Sequence, residues 1–257
     1  MKIALMDSGI GLLAAAVALR TLRPDVDLVL SSNPASMPWG PHTPEEITEL
    51  ALGCARAAAA YEPDALIVAC NTASVHALDA LRAELEPGLP VIGTVPAIKP
   101  AAALGGPVAI WATPATTGSA YQRGLIRDFA GTAAVTEVAC PGLADAVEHG
   151  DDAAIEAAVA DAAARTPGGT AGLVLGCTHY ELVADRIRAA VAPTALPALT
   201  LHGSADPVAA QALRRAAAPT RQGTATLTVL HAGTPATLPA AALAYPQTTL
   251  LRAVPTA

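Results

Sequence analysis

Aromatic side chains are scarce in this 257-residue chain: they make up 3% of it and include a single Phe. A core without rings must be built from Ala, Val, Leu and Ile. Charge is scarce too, at 14% against 53% hydrophobic residues. That excludes an intrinsically disordered chain, which needs the reverse balance. Lysine is limited to Lys2 and Lys99. Neither suits the Schiff base of pyridoxal phosphate, because Lys2 opens an apolar run and Lys99 precedes Pro100. There are 15 basic and 22 acidic residues, a net charge of −7, and no basic block, so a nucleic-acid partner is not expected. No apolar run reaches the ~20 residues of a membrane helix, and no membrane partner is expected either.

What is present begins with MKIALMDSGIG, which reads as a first strand rather than a signal peptide. A cytoplasmic, reducing location is therefore expected, with Cys54, Cys70, Cys140 and Cys177 as free thiols. Short apolar runs (IALMDSGIG, DLVLSSN, ALIVACNT, LPVIGTV) that end in small or polar residues alternate with helical stretches (LLAAAVALRTL, PEEITELALGCARAAAAY, ASVHALDALRAEL). Runs that are continuous rather than alternating suit strands buried on both faces of a parallel sheet. The series starts again at Gly105-Gly106-Pro107, with GPVAIWATPATTG as strand and loop, AAVTEVACPG as a strand and AGLVLGCTHY as strand and loop. DALIVACNTAS echoes AGLVLGCTHYE, and IALMDSGIG loosely echoes VAIWATPATTG. The reading is an α/β protein of two similar parallel-sheet lobes related by pseudo-duplication, with an active site in the cleft between them. Residues 1–94 plus 207–257 form the lobe with Cys70, and residues 95–206 form the lobe with Cys177.

Each of these two cysteines falls at the carboxyl end of a strand, just before a helix. Ligands of open parallel sheets sit there, facing backbone N–H groups. A helix N-terminus lowers a thiol pKa from roughly 8.5 towards neutrality, and Asn71, Thr72, Thr178 and His179 add polar groups beside the sulfurs. Cys54, inside a helical run, and Cys140, before Pro141, read as core fillers. A zinc site of Cys70, Cys177 and His179 lacks any Cys-x-x-Cys or His-x-x-x-His spacing. Gly9, Gly11 and Ala14 fit a dinucleotide fingerprint, but DLVLSSN lacks the acid that should close the second strand. No cofactor or metal is expected. Two thiols facing one another could instead invert a stereocentre, one removing a proton and the other returning one to the opposite face.

The motifs DSGIG (7–11), MPWGPHTPEEI (37–47), VACNTAS (68–74), PVIGTVPAIKPAA (90–102), ATPATTGSAYQ (112–122), ACPGLADAVEHG (139–150) and LGCTHYELV (175–183) resemble the cofactor-independent glutamate racemases of the Asp/Glu racemase superfamily. The resemblance implies that Cys70 and Cys177 are the acid/base thiols, Cys70 deprotonating the D-enantiomer and Cys177 the L-enantiomer. It implies Asp7 and His179 as groups that tune them, and Glu148 as a further assisting carboxylate. Substrate contacts fall on Asp7, Ser8, Trp39, Gly40, Asn71, Thr72, Thr116, Thr178 and His179. The partner implied is a small anionic amino acid, and the activity is glutamate racemisation supplying D-glutamate for peptidoglycan. Racemisation of aspartate or another small acid, and a non-catalytic metabolite-binding role, stay open, as does a homodimer. The chain departs from the pattern at Trp39, where Tyr is usual, and at Ser32-Asn33-Pro34, where Gly-Asp-Thr is usual. Leu12 reduces a glycine pair, Glu181 stands for Pro, and LHGSAD replaces a DSG-like segment.

Overall fold

Continuous burial along most strands shows what the apolar runs are for. In this computed structural model, which describes residues 1–216 and 222–252, the chain begins with β1 (Lys2–Asp7), α1 (Leu13–Leu22), β2 (Asp27–Ser32) and α2 (Pro44–Ala59). It continues through β3 (Ala65–Val68), α3 (Asn71–His76), α4 (Leu78–Leu85) and β4 (Val91–Gly93). A second series follows: α5 (Ile98–Ala102), β5 (Val108–Ala112), α6 (Ala120–Phe129), β6 (Val135–Ala139), α7 (Leu143–His149), α8 (Asp152–Arg165), β7 (Gly172–Leu175), α9 (Ala184–Val191) and β8 (Thr200–His202). The chain ends with α10 (Ala205–Arg215), β9 (Leu227–His231), β10 (Thr234–Ala236) and α11 (Pro246–Arg252).

The chain divides into two compact units, one of Met1–Thr94 with the segment from Ala205 onward, the other of Val95–Ser204. The first carries a sheet in the order β10-β9-β2-β1-β3-β4, parallel except for the β9–β10 pair. Helices α2 and α4 cover one face, and α1 and α10 pack against each other on the other. The second unit carries a wholly parallel sheet, β6-β5-β7-β8. The four-strand order β2-β1-β3-β4 is thus repeated as β6-β5-β7-β8. The echo between the Cys70 and Cys177 segments is an echo of topology, since both follow the third strand of their series.

Every residue of β3, β5 and β7 is buried, as strands covered on both faces require. The edge strand β6 is more open and carries Glu137. With few rings available, Ala lines the helix–sheet seams: Ala51, Ala55, Ala58, Ala73 and Ala77 join Met6, Val68, Leu66 and Ile47 in the core of the first unit. α2 starts on a reciprocal capping box, Thr43 with Glu46, and on Pro44 in its first turn. Such a cap contributes about 1 kcal/mol.

Two helical readings need refinement. ASVHALDALRAEL is not one helix: it breaks at Ala77 between α3 and α4. The segment after Cys177 begins as a 3-10 helix, Thr178–Val183, before α9. The edge strands β8 and β10 and the short helices α5 and α7 carry too little periodicity to be read from sequence.

Candidate active site

The first group of candidate residues lies at the carboxyl edge of the first sheet. β3 ends at Val68, and Cys70 is the N-cap of α3, with φ −137° and ψ 121°. Its Sγ accepts the Ala73 N–H at 3.5 Å, a bond that a capping oxygen ordinarily takes. Asn71 is buried and Thr72 half-buried on the same first turn. Asp7 ends β1 on the adjoining strand. Met6 pairs with Val68, and Ala69 N–H donates to the Met6 carbonyl at 2.8 Å, so the register brings Asp7 level with the approach to Cys70. The Asp7 side chain is fully buried. Its Oδ1 accepts the Ser8 N–H at 2.6 Å and the Ser8 hydroxyl at 3.2 Å, which holds Ser8 at the strand end.

Trp39 and Gly40 come from the loop between β2 and α2. Trp39 is 2% exposed and belongs to the same apolar cluster as Cys70, Ile47 and Ala51. Its indole N–H donates to Ser36 Oγ at 2.8 Å, so its single polar atom is satisfied inside its own loop. The Ser36 hydroxyl in turn reaches the Asn33 carbonyl at 2.8 Å. Sequence reasoning missed Ser36, and a lone Ser in a Pro-rich loop gives no signal for such a role.

The second group lies at the carboxyl edge of the second sheet. β7 ends at Leu175, and Cys177 is the N-cap of the 3-10 helix, with φ −139° and ψ 136°. Cys177 is half-buried, whereas Thr178 and His179 are buried. His179 Nδ1 stands 3.9 Å from Cys177 Sγ, and its Nε2 lies 2.9 Å from Glu148 Oε2. Both members of the His179–Glu148 pair are almost wholly enclosed. An ionised Glu148 can only accept, which assigns a proton to Nε2 and turns Nδ1 to the sulfur. The arrangement is a carboxylate, an imidazole and a thiol in line, the pattern of an oriented acid–base pair. Glu148 reaches this position from α7, a seven-residue helix bounded by left-handed glycines, Gly142 at φ 73° and Gly150 at φ 65°. Both can hold that backbone without a Cβ penalty.

Thr116 lies in the turn that follows β5, where its Oγ1 is 3.2 Å from Thr113 Oγ1 and its N–H donates to the Thr113 carbonyl at 3.0 Å. Thr113 is a second hydroxyl at this point that sequence reasoning passed over. Farther along, Gln122 on the first turn of α6 is 1% exposed, and neither polar atom of its amide has a hydrogen-bond partner among the described residues.

The remaining two thiols differ from these in kind. Cys54 is pushed up to about 12, by burial first and then by the Asp7 charge. Burial likewise raises Cys140 to about 12, with Arg165 opposing and Cys177 adding to the shift. All four cysteines are unbridged thiols. Among the described residues, no group of three or more His, Cys, Asp and Glu side chains could hold a metal ion, and no helix is long and apolar enough to cross a membrane.

Comparison with known proteins identifies relatives of this chain. The family described as Asp/Glu/Hydantoin racemase matches residues 12–205. A glutamate racemase of Roseiflexus sp. is 38% identical over 195 residues, covering 73% of this chain and 70% of its own. One from Herpetosiphon aurantiacus is 35% identical over 222 residues, 84% of this chain and 85% of its own. Among solved structures, Escherichia coli glutamate racemase in complex with L-glutamate and an activator, UDP-MurNAc-ala, superposes with a TM-score of 0.76 at 28% identity, covering 89% of this chain and 87% of that one. Thermus thermophilus glutamate racemase in complex with beta-chloro-D-alanine gives a TM-score of 0.71 at 28% identity, covering 98% and 93%. The repeated strand order, the two N-cap cysteines and these matches lead to one conclusion: the chain belongs to the Asp/Glu/Hydantoin racemase family.

Proposed function

We propose that the protein racemises glutamate without a cofactor, using Cys70 and Cys177 as a pair of acid/base thiols. The observation that carries the reading is the matched placement of these cysteines. Each is the N-cap residue two positions after the third strand of its series, with nearly the same backbone angles. Their unlike neighbours, Cys54 and Cys140, are held as thiols by burial. The glutamate racemase relatives support the substrate class.

In this mechanism one sulfur starts as thiolate and the other as thiol. The thiolate takes the α-proton from one face of the amino acid, and the opposite thiol delivers its proton to the other face. Charge and protons balance, and the two sulfurs end with their states exchanged. Cys177 acts on the L-enantiomer, with His179 accepting or returning a proton at Nδ1 while Glu148 steadies Nε2. Cys70 acts on the D-enantiomer beside the buried Asp7. Asn71, Thr72, Ser8, Thr116 and Thr178 supply hydroxyl, amide and N–H donors for an anionic substrate, and Trp39 with Gly40 shapes the wall by volume alone. None of these positions is Lys or Arg, so the α-carboxylate and side-chain carboxylate are bound by neutral donors. We place the reaction in a reducing cytoplasm, where thiols stay reduced, with D-glutamate destined for peptidoglycan.

The test is kcat/KM for both enantiomers of glutamate and of aspartate on the reduced protein. Glutamate should be preferred. A clear preference for aspartate would assign the site to a shorter acid, and turnover of neither would remove the racemase reading.

A further inference from the structure

We propose that Glu181 is a positioning residue for Cys177, tying the chain's return into the first unit to the helical turn that carries the thiol. The idea rests on the racemase reading above. It begins from the 3-10 helix after Cys177, in which successive side chains point about 120° apart. Three consecutive residues therefore anchor to three different places. His179 meets Glu148 on α7. Tyr180, fully buried, directs its hydroxyl to the Cys140 carbonyl at 3.4 Å. Glu181 turns towards Ser204, the last residue of the second unit, and its Oε1 accepts both the Ser204 N–H and the Ser204 hydroxyl at 2.8 Å. The carboxylate also lies against Gly203, where an added Cβ would overlap Glu181 Oε2 and Cδ. A side chain at 203 would push the carboxylate aside.

The first unit contains a counterpart built from different groups. Ser74 stands four residues after Cys70, as Glu181 stands four after Cys177. Ser74 Oγ accepts the N–H of Thr94, the last residue before the chain first leaves this unit, at 2.9 Å. The Thr94 hydroxyl donates to the Val68 carbonyl at 2.7 Å, two residues before the thiol. At each passage between units, then, the final residue is held by the side chain four positions beyond the thiol. A shift of the chain at Ser204 is carried through the Glu181 carboxylate into the turn that sets Cys177 against His179.

The test compares Glu181→Ala, Glu181→Gln and Gly203→Ala with the parent. Iodoacetamide labelling of Cys177 and Cys70 is timed by mass spectrometry without substrate, and kcat, KM and Tm are measured alongside. Glu181→Ala and Gly203→Ala should change the Cys177 labelling rate severalfold and leave Cys70 unchanged. In both, kcat should fall on the order of tenfold, the scale expected when a reacting group is slightly misplaced. Glu181→Gln keeps an acceptor oxygen and should behave as the parent does. A lower Tm with unaltered labelling, an equal change at both thiols, or a Glu181→Gln protein as impaired as Glu181→Ala would each overturn the proposal. Labelling needs no turnover, so a parent inactive on glutamate would refute the racemase reading while leaving this result to be judged by itself.

Discussion

In the first unit the buried carboxylate beside the thiol segment closes a strand: Asp7 is the last residue of β1. In the second unit the strand in the same position, β5, ends at Ala112, and the buried carboxylate comes instead from a helix, as Glu148 acting on His179. The thiols themselves are matched. Their backbone angles differ by 2° in φ and 15° in ψ. The surroundings diverge further: Cys70 Sγ accepts a backbone N–H, whereas Cys177 makes no such capping bond and faces an imidazole. A repeated strand order fixes where a strand ends, and so fixes the sulfur. The polar groups near each sulfur are side chains, and side chains can be supplied from any neighbouring element. In the proposed reaction the two thiols would therefore share one backbone solution and differ in their electrostatic one.

Removing either sulfur breaks the comparison most severely. Cys70→Ala and Cys177→Ala should each lower racemisation by at least about 10³-fold, since each direction needs both a base and an acid. Near-parent rates from either variant would refute the matched roles. The next largest effect concerns the asymmetric supports. Glu148→Gln should reduce kcat on the order of tenfold to a hundredfold by loosening the His179 tautomer, and it should shift the pH–rate profile because a buried charge next to an imidazole is lost. Asp7→Asn should alter the profile differently, and identical profiles for the two variants would erase the distinction between the units.

Smaller effects sharpen the contrast between working and filler thiols. The thiolate is the nucleophile in alkylation. With Cys54 and Cys140 raised to about 12 by burial, both stay protonated, and they should remain unlabelled in the folded protein from pH 7 to pH 10. Labelling of either at the rate of Cys70 or Cys177 would contradict this. Cys54→Ala and Cys140→Ala should keep turnover within about twofold, at a stability cost of about 1 kcal/mol for a methylene-sized loss. Least of all, Trp39→Tyr should change KM for glutamate more than kcat, because the ring would affect both bound states alike.

Where the candidate residues sit in the fold could largely be read before any coordinates. CNT and GCTH mark strand ends through their small and polar residues, and unbroken apolar runs such as ALIV and GLVL announce buried parallel strands. The partners of these motifs could not be read in the same way. Glu148 looks like one more helix charge in ADAVEHG, and only folding brings it to His179, 31 residues away. Trp39 could be read as a ligand-facing donor until Ser36 is seen to occupy its N–H. The break at Ala77 and the 3-10 turn after Cys177 leave no mark in periodicity, because both are set by what the turn must reach rather than by which face is apolar. Edge strands such as β8 are three residues long, too short for any pattern to register.

The central claim, that opposite faces of the α-carbon are served by two different thiols, is tested most directly by racemisation of L-glutamate in D₂O, stopped at a few per cent conversion. Both sulfurs exchange their protons with solvent. The account therefore predicts that the D-glutamate formed carries deuterium at the α-carbon, while the recovered L-glutamate remains almost wholly protiated. The same should hold with the enantiomers reversed. Deuterium appearing in the recovered substrate as fast as in the product would mean that one group both removes and returns the proton, and it would contradict the two-thiol account.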